Sequence, residues 1–178
     1  MMARLDPYTP TPAARAGRIV MTVMPFVMGL ICVLLSFVPF GRIFGTSVMP
    51  AFALMAIYYW GIVRPEMFPV YAVFLVGLVF DLLSGGPIGL WAFVYVLTYI
   101  IVLTQRFLVI NAPFSVFWLG FLMAAAFAGV VGWAAASLFY GTLLPARPIV
   151  WHLFVTVALY PLFSMIFGRI ERRILPSA

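Results

Sequence analysis

The sequence predicts an all-α integral membrane protein with six transmembrane helices and both termini cytoplasmic. Three observations carry that prediction. Of 178 residues, 66% are hydrophobic and 8% are charged, where a soluble domain carries roughly 25% charged residues. The apolar residues form long continuous tracts, not the short alternating segments of a membrane β-barrel. The ten basic residues, all arginine, are scattered between those tracts, which is the pattern of topology determinants rather than of a nucleic-acid face.

Residues 1–18 form the first unit, a cytoplasmic tail. Pro7, Pro10 and Pro12 with Arg4 and Arg15 give it an extended character. A first span is expected over 19–40. It is too long for a signal-peptide core, and no small-residue cleavage site follows. Pro25 falls in its early turns, where proline is best tolerated. Cys32 lies mid-span without a ligand or disulfide partner, as a packing residue. A loop at 41–47 leads to a second span over 48–63. Tyr58, Tyr59 and Trp60 at its end look like an interfacial aromatic belt. Arg64, Pro65 and Glu66 make a polar turn.

The third span, 67–83, is short and ends in the stretch 81–89, Asp-Leu-Leu-Ser-Gly-Gly-Pro-Ile-Gly. Gly85, Gly86, Pro87 and Gly89 cannot continue a regular helix, so the chain forms a hairpin. A fourth span is expected over 87–104, with Pro87 in its first turn. On it Trp91, Tyr95 and Tyr99 recur every four residues, a ridge that packs internally or covers a ligand or a neighbour. The fifth tract, 113–140, follows the Asn111-Ala112-Pro113 break. It carries Gly120, Ala124, Ala128, Gly132 and Ala136 at spacing four. Small residues in such a row let membrane helices approach closely, either within the molecule or against a partner's helix. A loop over 141–148 holds Arg147. The sixth span, 149–168, opens with Trp151 and His152. Arg169, Arg172 and Arg173 mark a cytoplasmic tail over 169–178, so the membrane domain is 19–168.

With six crossings, Arg4, Arg15, Arg18, Arg64, Arg106, Arg169, Arg172 and Arg173 fall on the side of the termini, and Arg42 and Arg147 fall opposite. Excess arginine marks the cytoplasmic face, which puts the 81–89 hairpin outside.

Asp81 is the one acid flanked by apolar residues on both sides. A carboxylate at a membrane helix centre costs about 3 kcal/mol, so it needs a reason to be there. One reading is a turn cap, with backbone N–H groups around Ser84 and Gly86 donating to it. The other is an ion pair with Arg42, Arg147 or a partner's cation. Catalysis by paired carboxylates is not expected, because Glu66 and Asp81 fall on opposite sides and Asp6 and Glu171 lie with the termini. One histidine and one cysteine make no metal site. Ser84 lacks a G-x-S-x-G context, and Gly85-Gly86-x-x-Gly89 lacks a strand and a lysine. The chain is expected to be no enzyme and to hold no cofactor or metal.

The Asp-Leu-Leu-Ser-Gly-x-Pro-hydrophobic-Gly stretch between the third and fourth spans resembles the rod shape-determining MreD family. So do the chain length, the six spans and the lack of a soluble domain. The resemblance implies a non-enzymatic scaffold of the cell-elongation machinery in the bacterial inner membrane, serving rod shape and peptidoglycan synthesis. Its implied partners are an MreC-like bitopic protein, the MreB filament, RodA and a class B penicillin-binding transpeptidase, besides membrane lipid. The family also resembles the substrate-binding subunits of vitamin transporters, which gives the alternative function. That site would lie near Asp81 and the Trp91–Tyr95–Tyr99 ridge.

Overall fold

The computed structural model describes residues 12–38 and 50–174, with side chains at 23–38 and 50–173. Six α-helices appear among them: α1 (Pro12–Ser36), α2 (Phe52–Val63), α3 (Val70–Ser84), α4 (Leu90–Val109), α5 (Phe114–Tyr140) and α6 (Arg147–Ile174). A 3-10 turn, Pro65–Met67, joins α2 to α3. No strand occurs among the described residues. Three of the helices start at proline: Pro12 opens α1, while Pro69 and Pro113 are the N-caps of α3 and α5. Proline lacks only an N–H that a first turn leaves unbonded anyway.

The six helices match the six apolar tracts in order but not in length. Leu90–Val109, Phe114–Tyr140 and Arg147–Arg173 are long and apolar enough to cross a membrane, whereas Phe52–Val63 and Val70–Ser84 are shorter. At 12 and 15 residues these two reach about 18 and 22 Å, against a hydrocarbon core of about 30 Å. The expected extended tail is also corrected in part, because the chain is helical from Pro12. Ala13, Ala14 and Ala16 are strong helix formers.

Short α2 is the hub of the bundle. Every residue from Phe52 to Ile62 is buried. A helix that is apolar all round belongs inside other helices, and α1, α4, α5 and α6 surround this one. Tyr58 meets Phe117 and Phe121 of α5 and Tyr160 of α6 edge-on, with centroids 5.4, 5.4 and 5.7 Å away. Tyr59 turns to Phe167 of α6 at 5.4 Å. Gly61 faces α4 so closely that a Cβ there would stand 2.8 Å from the Tyr99 ring. The aromatic triplet at 58–60 is therefore core, not an interfacial belt. The bundle gives α2 no lipid-facing side.

The outer surface is apolar. Tyr71, Phe74 and Leu75 of α3, Met123 and Val130 of α5, and Phe154, Leu162 and Met165 of α6 are all exposed. A soluble monomer does not carry so much contiguous apolar surface. Lipid is its natural solvent.

Inside, Tyr160 stacks on Phe121 with centroids 3.8 Å apart. Its hydroxyl is buried without a hydrogen-bond partner among the described residues. A buried donor with no acceptor costs free energy that removing it recovers. Tyr160→Phe is expected to keep the stack and raise stability by up to about 1 kcal/mol, read as a higher midpoint for thermal unfolding in detergent. A fall in the midpoint would mean that the hydroxyl is bonded in the folded protein.

Candidate functional site

Asp81 sits in the last turn of α3 and is 1% exposed. Both of its oxygens accept from the next helix. Oδ1 accepts the Trp91 N–H at 2.9 Å, and Oδ2 accepts those of Gly89 at 2.9 Å and Ala92 at 3.2 Å. The Leu90 N–H donates to the Pro87 carbonyl and that of Phe93 to the Gly89 carbonyl. Every free N–H of the first turn of α4 is thereby satisfied, as a buried helix end requires. The carboxylate also stands at the positive end of the α4 dipole.

The sequence reading placed these bonds around Ser84 and Gly86 and started the fourth helix at Pro87. Both are corrected. Ser84 does the local work: its hydroxyl donates to the Asp81 carbonyl at 3.1 Å and meets the Gly86 N–H at 3.5 Å. The helix starts only at Leu90, because Gly89 holds φ 95° and Gly85 holds φ 67°. Those left-handed turns suit glycine and strain other residues. They swing the chain back so that α4 starts beneath Asp81. No arginine pairs with Asp81 among the described residues, where the one ion pair is Arg64–Glu171. Arg42 lies outside the described residues, and Arg147 is exposed.

The α3–α4 contact is as close as helices allow. A Cβ on Gly77, one turn before Asp81, would stand 2.8 Å from the Ala92 nitrogen and 3.0 Å from the Trp91 oxygen. The hairpin is thus a rigid wedge with two unlike faces. Asp81 is turned inward and bonded through both oxygens. Leu82, Leu83 and Ile88 point out, Ile88 at 73% exposure.

The aromatic ridge on α4 divides. Trp91 and Tyr95 pack on Phe80 of α3, at 5.5 and 6.0 Å, and line a cavity of about 30 Å³ with Ala125, Ala128, His152 and Thr156. That is room for one water. Tyr99 instead donates its hydroxyl to the Phe68 carbonyl. The small-residue row on α5 faces inward. Ala124, Ala128 and Gly132 are buried, while Gly120 and Ala136 are half-buried. Gly132 admits Trp91, whose ring lies 3.5 Å from where a Cβ would be, and Gly120 admits the Tyr58 hydroxyl.

At the opposite end lies a polar cluster that sequence reasoning missed. Glu171 of α6 accepts from Arg64 Nε at 3.1 Å and from the Tyr59 hydroxyl at 2.9 Å. Arg106 of α4 donates to the Ile62 carbonyl at 2.8 Å. These bonds pin the C-terminal end of α2 to α4 and α6. At its other end, the Ala51 N–H donates to Thr156 of α6 at 3.0 Å.

Fold and site together define a helical membrane protein whose buried polar groups hold helix ends together. No group of three or more histidine, cysteine or acidic residues able to hold a metal occurs among the described residues. The chain matches the family model for rod shape-determining protein MreD over residues 15–170 and belongs to that family. No curated protein and no solved structure matches it.

Proposed function

We propose that this chain is a non-enzymatic scaffold of the bacterial cell-elongation machinery. It crosses the inner membrane six times, both ends are cytoplasmic, and it serves rod shape and peptidoglycan synthesis. Membership of the MreD family over residues 15–170 is the observation that carries this reading. The arginine bias toward the end holding Arg64, Arg106 and Arg169 supports the orientation. Short α2 completes its crossing inside the bundle, where neighbouring helices rather than lipid cover it. Partner contact runs through short loops and outer helix faces, the exposed Leu82, Leu83 and Ile88 of the hairpin included. An MreC-like bitopic protein is the first partner, with the MreB filament, RodA and a class B penicillin-binding transpeptidase in the same assembly. The alternative, a vitamin-binding transporter subunit, requires the Trp91–Tyr95 cavity to widen about tenfold, because small-molecule pockets run from about 300 Å³.

Deleting the gene from its own bacterium is expected to turn rods into rounded cells. A plasmid copy is expected to restore the rods and to co-purify with an MreC-like protein. Rod shape unchanged on deletion overturns the proposal. Tight retention of a vitamin-like molecule by the purified protein favours the transporter reading instead.

A further inference from the structure

One exposed stripe on α6 changes character along its length. Leu162, Met165 and Ile166 are exposed at 56%, 59% and 40%. Arg169 and Arg173 continue the same stripe and are exposed too. The spacing of three, one, three and four residues keeps all five on one helix face. Arg172, also exposed, sits at the edge of that face, its Nη2 3.8 Å from where a Cβ on Gly168 would be.

The acid in the middle of this cluster is already engaged. Glu171 is bonded to Arg64 and to Tyr59. Arg169, Arg172 and Arg173 have no ion pair among the described residues. An apolar stripe thus runs directly into three guanidinium groups whose one neighbouring acidic side chain among the described residues is already paired.

We propose that this stripe is a binding site for one anionic phospholipid of the adjoining leaflet. Acyl chains lie along Leu162, Met165 and Ile166, and the headgroup phosphate sits on Arg169 and Arg173 with Arg172 beside it. Guanidinium forks match phosphate oxygens in pairs. The apolar run one turn away selects a lipid over a soluble anion and over an acidic protein face. The Arg64–Glu171 pair has a second part in this arrangement, because it engages the one acidic side chain in this cluster among the described residues.

The test uses the purified full chain in a neutral detergent, with lipid binding followed by native mass spectrometry. The probes are dioleoylphosphatidylglycerol, dioleoylphosphatidylcholine, inorganic phosphate and polyglutamate. Phosphatidylglycerol is expected to bind more tightly than phosphatidylcholine. Each arginine near a charged headgroup is worth about fivefold in affinity, so Arg169→Gln with Arg173→Gln is expected to lose about 25-fold, with phosphatidylcholine binding unchanged. Glu171→Gln frees Arg64 and removes a nearby negative charge, so it is expected to bind phosphatidylglycerol more tightly, not less. That gain cannot come from a loss of folding. Equal binding of the two lipids, or an unchanged preference in the double variant, overturns the proposal. So does competition by inorganic phosphate or polyglutamate as strong as that by the lipid.

Discussion

Asp81→Ala is expected to unfasten the α3–α4 hairpin. Three backbone N–H groups, those of Gly89, Trp91 and Ala92, lose their acceptor together. Asp81 is 1% exposed; the bond from the Ala92 N–H is buried, and those from Gly89 and Trp91 are part-buried. Each buried donor left unpaired costs about 1–3 kcal/mol, and the loss falls on one helix end. A total of about 3 kcal/mol or more is expected, a large share of the stability of any small protein. Asp81→Asn is expected to cost less, because one amide oxygen in the Oδ2 position still accepts from Gly89 and Ala92. Thermal unfolding of the three proteins in one detergent should rank them wild type, then Asn, then Ala. If the Ala variant melts with the wild type, the hairpin is held by something other than this carboxylate. A pull-down normalised to protein level separates stability from partner contact. A fastening role leaves partner capture per folded molecule unchanged, whereas a partner ion pair weakens capture at full abundance.

Gly77→Ala is the second large effect, and its sign is the informative part. In an ordinary helix interior, replacing glycine by alanine stabilises by about 1 kcal/mol. Here the added methyl would stand 2.8 Å from the Ala92 nitrogen. That neighbour is backbone at a capped helix end, not the tip of a flexible side chain. Forcing atoms into a packed contact costs about 1–3 kcal/mol, occasionally more, so sterics outweigh propensity and the variant is expected to be less stable. Gly86→Ala is the control. Its Cβ would meet only the Ser84 hydroxyl, at 3.6 Å, and a change within about 0.5 kcal/mol is expected. Equal melting of the Gly77 and Gly86 variants would show that the two helices separate more easily than their contact suggests.

Much of the architecture was legible because lipid is a demanding solvent. Six apolar tracts could be counted, and proline and glycine marked their ends to within a few residues. The hairpin at 81–89 was legible for the same reason. What escaped was distance along the chain. A pattern near Asp81 suggests a local cap, and only the doubled-back chain shows that the acceptors serve residues 8 to 11 positions ahead. Glu171 finds Arg64 and Tyr59 across more than 100 residues, and no spacing rule reaches that far. The enclosure of α2 did have a signal. Its run from Phe52 to Val63 has no polar face at all, yet the aromatic triplet suggested a boundary instead of a centre.

The buried position of α2 bears on how the molecule is made. Translation delivers α2 well before α6, but two of its fastenings, Thr156 at one end and Glu171 at the other, belong to α6. Until then a segment of about 18 Å must wait in a bilayer thicker than itself. The enclosure of α2 is therefore completed only once α6 has been made. A nascent chain stopped before α6 holds an unclothed hub, the kind of intermediate that quality-control proteases remove.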